Sequence, residues 1–469
     1  MIKKSIYILC TSLALGCSAC DDWLTVVPET TLIADNLLET DEGILQVLDG
    51  AYVLAASNVY KPTGYLGGGG CVEEMANTWT KDNSSWANHE YDIDNSGVAN
   101  TLDAMFMQIY KIINTLNPMI EACDKNKDKY REEYYNIVKG EALAFRACLH
   151  LDLIRIWGPM PKNINPSTEY LPYVTQNSIQ NYQYYTFDKY MELLLRDLNE
   201  AEELLKKSDP IVTRVESSDW SDREAHFNYY GVLGLQARAR LWMNDTEGAM
   251  RYAKMVIEAK GEDGTAVFAL ATADNYVDRT FYPEHLCSIN QDNFDYQQTG
   301  FANSQNLNSY NNRNYSTFVS DLFDGNANDL RLKQQWSYLR SYTGQYVRIT
   351  RKYDDMYPSN SSAARNMPLV RLAEMYLILM EVGTLEEANV AVAYARQLPR
   401  KESTLLERYT RQFNYPPESK VKSSKDLERM GIKTFFCSDV CAAYNRDMYL
   451  KNGGFEKKAI FNEDMIYAA

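Results

Sequence analysis

Glu141-Ala142-Leu143-Ala144-Phe145-Arg146-Ala147, running on through Leu151-Asp152-Leu153 to Trp157-Gly158-Pro159-Met160-Pro161, is the stretch on which the fold turns. It closes an apolar pattern that begins at Tyr134 and passes through Ile137, Val138, Ala142, Phe145, Leu149 and Leu153 at helical spacing. Gly158-Pro159 ends it, because proline has no N–H to continue the ladder and its ring clashes with the preceding turn. Glu141 and Arg146 are five apart, which is not a good pairing distance along one helix, so each is expected to salt-bridge or cap a neighbouring helix.

On either side lie further amphipathic patterns. Met105, Ile109, Ile112, Ile113, Leu116 and Ile120 share one helix face, and others span Phe187 to Leu205, Tyr229 to Met243 and Ala249 to Ala259. The polar turn Asn244-Asp245-Thr246 separates the last two. A final pattern runs from Leu369 through Leu372, Tyr376 and Leu379 to Val382, with a partner from Glu386 to Arg396, and Arg371 and Glu374 are expected to pair along its face. Helix, short turn, helix is the unit of tetratricopeptide-like arrays, which bury their apolar faces by stacking on neighbours. The fold class is therefore mainly α, tetratricopeptide-like helix pairs with long irregular insertions carrying a few short strands.

The insertions differ in composition. Residues 60–100 hold Gly67-Gly68-Gly69-Gly70 and then Trp79, Trp86 and Tyr91, while 265–365 is rich in Asn, Gln and Tyr. Long loops inside a compact domain are usually functional. The chain divides into a leader (1–19), a tether (20–40), helical repeats (41–260), the 265–365 insertion, a last helical pair (367–397) and a charged C-terminal segment (398–469).

At the start, Lys3-Lys4, an apolar run from Ser5 to Gly16 and small residues around Cys17 and Cys20 have the anatomy of a secretory leader. The run is too short to span a bilayer, which takes about 20 residues. Ser18-Ala19 before Cys20 suits lipoprotein processing, with Cys17 as the competing site. The net charge of −15 becomes more negative when the leader's two lysines are lost, which makes nucleic acid and anionic lipid poor partners. The remaining cysteines, Cys71, Cys123, Cys148, Cys287, Cys437 and Cys441, have neither disulfide-scaffold nor zinc spacing; Cys437 and Cys441, one turn apart, either pair or are inert thiols. His89, His150, His226 and His285 are scattered, so no metal site is expected.

Taken together, these residues resemble the SusD/RagB outer-membrane nutrient-binding lipoproteins of Bacteroidetes. Cys20-Asp21-Asp22-Trp23-Leu24-Thr25-Val26-Val27-Pro28 is similar to their mature N-terminus and favours Cys20 as the lipidated residue. The Glu141–Pro161 stretch is similar to the family's hallmark helix, with weaker matches at Asp197-Leu198, Ala237 to Met243 and Pro368 to Tyr376. The likeness runs from residue 20 to about 395. Beyond Arg396 only fragments such as Leu427-Glu428-Arg429-Met430-Gly431 follow the pattern, which divergence, truncation or a shifted reading frame would each produce.

The resemblance implies a SusD-like helical scaffold, anchored by lipid to the outer membrane and exposed at the cell surface. It further implies a protein that binds an oligosaccharide and passes it to a SusC-like TonB-dependent transporter, without cofactor and without catalysis. Aromatic faces stack on the C–H faces of sugar rings and amides bond their hydroxyls. Trp79, Trp86, Tyr91, Tyr282, Tyr296 and Tyr310 are the candidate ligand-binding residues. Two rival classes are an exported glycan-degrading enzyme with paired carboxylates and a helical scaffold that binds only protein. No Gly-x-Ser-x-Gly, His-Glu-x-x-His or phosphate loop is present. Asp82, Glu90, Asp92 and Asp94 read equally well as solvated loop acids or a calcium site.

Overall fold

The computed structural model describes residues 37–62, 64–67, 72, 94–179, 181–213, 220–270, 280–291, 336–340, 346–350 and 366–383. Seven helices of eight or more residues order these: α1 (Asp41–Leu54), α2 (Ser96–Lys125), α3 (Glu132–Trp157), α4 (Phe187–Ser208), α5 (Tyr229–Trp242), α6 (Thr246–Ile257) and α7 (Leu372–Val382). Three two-stranded antiparallel ribbons accompany them. They are β1 (Glu169–Pro172) with β2 (Tyr184–Thr186), β3 (His285–Asn290) with β6 (Asn366–Arg371), and β4 (Trp336–Arg340) with β5 (Tyr346–Thr350). The mainly α architecture matches the expectation from helical periodicity.

The centre is α3, in which every residue from Tyr134 to Ile156 is buried. It packs against α1, α2, α4 and α5, while α5 and α6 form a helical hairpin whose second helix meets α7. The α3 helix stops where the sequence says: Gly158 N–H closes on the Ile154 carbonyl at 3.0 Å and Pro159 follows. The hairpin turn is also local chemistry. Asn244 takes a left-handed conformation, φ 66°, which Asn tolerates, and Asp245 caps α6 by accepting the Gly248 N–H at 2.9 Å.

Burial on all sides forces the polar groups of α3 to find partners on other elements. Glu141 receives Arg223, which also binds Asp209 through Nε at 2.9 Å. It receives the Tyr52 hydroxyl as well, at 2.8 Å, and that hydroxyl accepts the Phe227 N–H at 2.8 Å. Arg146 donates to Asp197 on α4 at 2.8 Å and to Asn117 on α2 at 3.0 Å, and Asp197 accepts the Tyr173 hydroxyl at 2.7 Å. Glu141 and Arg146 thus tie α3 to other elements, as their spacing predicts.

The same network repairs a flaw in α2. Pro118 lies inside that helix and offers no N–H to the Asn114 carbonyl. Asn177 supplies the missing donor, its Nδ2 lying 2.8 Å from that carbonyl, while its Oδ1 accepts from Asn117 at 3.3 Å.

Helix α1 runs parallel to α3 and in register with it. Three rungs join them: Asp41 to Arg131, Tyr52 to Glu141 and Tyr60 to Asp152, at sequence separations of 90, 89 and 92. A nearly constant separation along both chains means that they travel in the same direction at the same rise per residue. Residues just before α1 are fastened to the turn between α2 and α3, where Leu38 O accepts from Tyr130 and Lys129 pairs with Glu39 at 2.8 Å.

Two expectations fail around residue 370. The helix expected from Leu369 begins only at Leu372, because Asn366–Arg371 is a strand whose backbone pairs with His285–Asn290. That ribbon lies flat on α5. A Cβ on Gly231 would stand 2.7 Å from the Cys287 Cβ, and one on Gly234 2.6 Å from Val370 Cγ1, so only glycine permits this approach. Glu374 does not pair with Arg371 but takes both arms of Arg238, at 2.7 Å each. Arg371 ends the strand with its guanidinium 5.8 Å from the centre of the Phe281 ring. The expected partner helix Glu386–Arg396 and the segment 398–469 lie outside the described residues.

Two predictions follow from the buried polar groups. Arg223→Met strands Glu141 and Asp209 in the core and is expected to destabilise the fold by about 3–5 kcal/mol. Arg131→Met, at an exposed pair, is expected to leave the urea midpoint near that of the wild type. Equal losses in the two variants would refute the central role given to Glu141.

His150 is fully buried, stacked 3.9 Å from Tyr173, and is held far below the usual histidine value, at about 3, by burial and then by Arg146. Its protons are assigned by its neighbours. Tyr190 donates its one hydroxyl proton to the His150 carbonyl at 2.8 Å and so accepts from Nδ1 at 2.9 Å, leaving Nε2 to accept the Val174 N–H at 3.2 Å. Below pH 6.5 the unfolded chain binds a proton that the folded one refuses, so stability falls with pH down to about 3. By pH 5 this amounts to about 2 kcal/mol, and the slope between pH 7 and 5 should be shallower by that amount in His150→Gln.

Candidate functional site

Both long insertions leave the helical frame at one place. The first departs after Tyr60, which follows a turn of π-helix (Ala55–Val59) at the end of α1; the second departs after Gln291, just beyond β3. Gln291 is buried and donates its amide to the Tyr60 carbonyl at 3.4 Å. One residue back, Asn290 donates to Asn366 at 3.2 Å, so the outgoing and returning strands of the second insertion are clasped at its base.

This root is wired to α3. The Tyr60 hydroxyl donates to Asp152 at 2.6 Å and lies 3.7 Å from the Cys148 sulfur, and Asp152 also holds Arg155 at 3.3 Å. Burial, then the Asp152 charge, raises the Tyr60 phenol well above its usual range and pushes the Cys148 thiol up to about 12. Cys287 is likewise raised by burial. Neither sulfur is a nucleophile at neutral pH, and Cys123, Cys148 and Cys287 are free and buried. The chemistry available at the root is hydrogen bonding.

Of the six candidate aromatic residues, only Tyr282 falls among the described residues; Trp79, Trp86, Tyr91, Tyr296 and Tyr310 lie outside them, as do Cys20, Cys437 and Cys441. Tyr282 opens a single 3₁₀ turn, Tyr282–Glu284, just before β3. Its half-buried ring meets His285 edge-on at 5.4 Å. It does not join the loop root. The β3 strand separates the two, and six residues at about 3.3 Å each put them roughly 20 Å apart. The residue before it, Phe281, has φ 57°.

Among the four histidines, His150 and His285 are packed, His226 is half-buried with its ring edge-on to Tyr52 at 5.0 Å, and His89 lies outside the described residues. No group of three His, Cys, Asp or Glu side chains suited to a metal ion occurs among the described residues. Of the loop acids, Asp94 is described and exposed, beside the start of α2.

Sequence reasoning missed Tyr60, Gln291, Phe281 and Arg371. Tyr60 had a signal, since helical spacing stops there and Pro62 follows. Gln291 and Phe281 had none, because a contact across 231 residues and a left-handed phenylalanine leave no mark on local spacing.

Known proteins bear on this geometry in three ways. Residues 22–218 match the SusD-like family described as starch-binding and associating with the outer membrane. The fold is similar to that of a SusD superfamily protein of Bacteroides thetaiotaomicron, at 18% identity and a TM-score of 0.59 over 92% of this chain and 93% of that one. It is also similar to a sugar-binding protein, so described, of Bacteroides vulgatus, at 21% identity and a TM-score of 0.56 over 88% and 86%.

A separate short likeness is to the O-antigen chain rhamnosyltransferases of Salmonella anatum, 42% identical over 83 residues, and Salmonella typhimurium, 44% over 80 residues. Those stretches are 18% and 17% of this chain, and the chain spans about a quarter, 26%, of the length of either enzyme. Residues 22–218 thus resemble the SusD-like family in sequence, and the helical scaffold built around α3 has a fold similar to that of SusD superfamily proteins.

Proposed function

We propose that this protein captures an oligosaccharide at the outer surface of the outer membrane and delivers it to a TonB-dependent transporter. The observation that carries this reading is the match of residues 22–218 to a family described as starch-binding and associating with the outer membrane. The arrangement of the frame supports it. Two insertions rich in Trp, Tyr, Asn and Gln spring from one root, and that composition suits the apolar faces and hydroxyl edges of sugars. In this reading Trp79, Trp86, Tyr91, Tyr282, Tyr296 and Tyr310 contact ligand, Cys20 carries the lipid, and the protein is not an enzyme.

The α1–α3 ladder adds a geometric argument. The tether joins the frame at the Asp41–Arg131 rung, and the loops leave it at the Tyr60–Asp152 rung, 21 residues further along α3. At 1.5 Å per residue this is about 30 Å. A tether at one end and loops at the other let a lipid-anchored protein stay at the membrane while its loops remain free.

A second reading has its own observation, the 83-residue stretch at 42% identity to an O-antigen rhamnosyltransferase. It suggests glycosyl transfer from a nucleotide-activated sugar. We favour binding over transfer because the family match covers more of the chain and the shared stretch is a quarter of such an enzyme.

Isothermal titration of the purified chain against a panel of oligosaccharides should give saturable binding, with no new reducing ends and no release of nucleotide from an activated rhamnose. Turnover abolished by a single carboxylate substitution would refute the binding reading, and binding to a transporter with indifference to every sugar would favour a pure scaffold. In cells, Cys20→Ala should move the protein from the membrane to the soluble fraction; retention at the membrane would refute lipidation at that residue.

A further inference from the structure

We propose that Phe281, Tyr282 and Arg371 form a sugar-stacking platform on the frame itself, separate from the loop root; this rests on the carbohydrate-binding reading above. Three non-glycine residues among those described have a left-handed backbone: Asp222 at φ 53°, Asn244 at 66° and Phe281 at 57°. Asp and Asn reach that region readily because their short polar side chains bond locally. Phenylalanine has no such compensation, so Phe281 is held there against its preference.

Three hydrogen bonds hold it. The Glu284 N–H donates to the Phe281 carbonyl at 2.9 Å, the Ala269 N–H to the Pro283 carbonyl at 3.1 Å, and His285 Nε2 to the Thr280 carbonyl at 2.8 Å. Nothing in these bonds calls for a phenyl ring at position 281, and glycine would make the same turn without strain. The ring is therefore kept for what it presents.

What it presents has the composition of a sugar site. Phe281, Tyr282 and Pro283 are consecutive and half-buried, so each shows part of its apolar surface to solvent. The Arg371 guanidinium lies 5.8 Å from the Phe281 ring centre, and Tyr282 is propped by the edge contact to His285 at 5.4 Å. A pyranose lays its C–H face on an aromatic ring while a planar guanidinium donates to paired hydroxyls or to a carboxylate at its edge. Arg371 closes the β3–β6 ribbon opposite His285, so the platform's cation stands on paired strands and its rings on the turn that leads into them.

The test uses the full chain and whichever oligosaccharide binds it most tightly in the panel. Phe281→Gly is expected to lower affinity at least tenfold while the melting temperature stays level or rises, because strain is relieved as the stacking face is lost. Tyr282→Ala and Arg371→Gln should each weaken binding, with Arg371→Lys restoring it only in part. Unchanged affinity in Phe281→Gly overturns the platform while leaving carbohydrate binding intact. A fall in its melting temperature overturns the assignment of the ring to ligand, since the phenyl would then serve the fold. A wild-type chain that binds no oligosaccharide overturns the carbohydrate reading and the platform together.

Discussion

The structure depends on a helix that is buried on every side and is not apolar. Within α3, Lys139, Glu141, Arg146, His150, Asp152 and Arg155 sit among leucines and isoleucines with almost no solvent access. Each charge among them, and the polar ring of the neutral His150, loses its hydration on folding, which only close partners offset. The partners come from α1, α2, α4 and the segments before α5, so satisfying α3 positions most of the helical frame. Lys139 shows the balance: burial works against its charge, yet Asp124 and Glu200 together raise its affinity for the proton. Such pairs contribute specificity more than net stability, because a wrong packing would leave several of them unpaired at once.

A frame specified in this way also fixes the points from which the long insertions start. The insertions leave from Tyr60 and Gln291, and both positions are tied to the core by hydrogen bonds. Loops that begin on a rigid base can vary in sequence and shape without disturbing the helices beneath. The same base sets their distance from the tether. The ladder between α1 and α3 holds the Asp41–Arg131 and Tyr60–Asp152 ends of the frame apart.

Much of the frame was legible in the chain. The α3 pattern from Tyr134 to Trp157 predicts the helix nearly to the residue, since its stop is written in Gly158-Pro159. The α5–α6 hairpin is legible for a similar reason, because the Asn244-Asp245 turn acts through its own backbone. Leu369–Arg371, expected to open a helix, are the end of a strand. Met367, Leu369 and Val370 are compatible with either period, and pairing with a strand about 80 residues away settled the matter. The pairing expected between Arg371 and Glu374 failed with it, for once Arg371 lies in a strand the two no longer share a helix face. At the candidate site, composition pointed to Tyr282 but gave no hint of Phe281 beside it, whose interest is conformational.

By itself, the sequence determined α3 and the α5–α6 hairpin with the stops between and after them, and the need for partners at Glu141 and Arg146, because periodicity, proline and burial of charge act over a few residues. Tertiary structure decided which groups those partners are. Arg223 and Asp197 reach α3 from 82 and 51 residues away, and nothing in local spacing ranks them above other charges. It also decided that two insertions far apart in the chain share one root at Tyr60 and Gln291, and that Phe281 bears a strained backbone. Contacts of that range are chosen by the packing of the whole, where each buried polar group must be satisfied together with all the others.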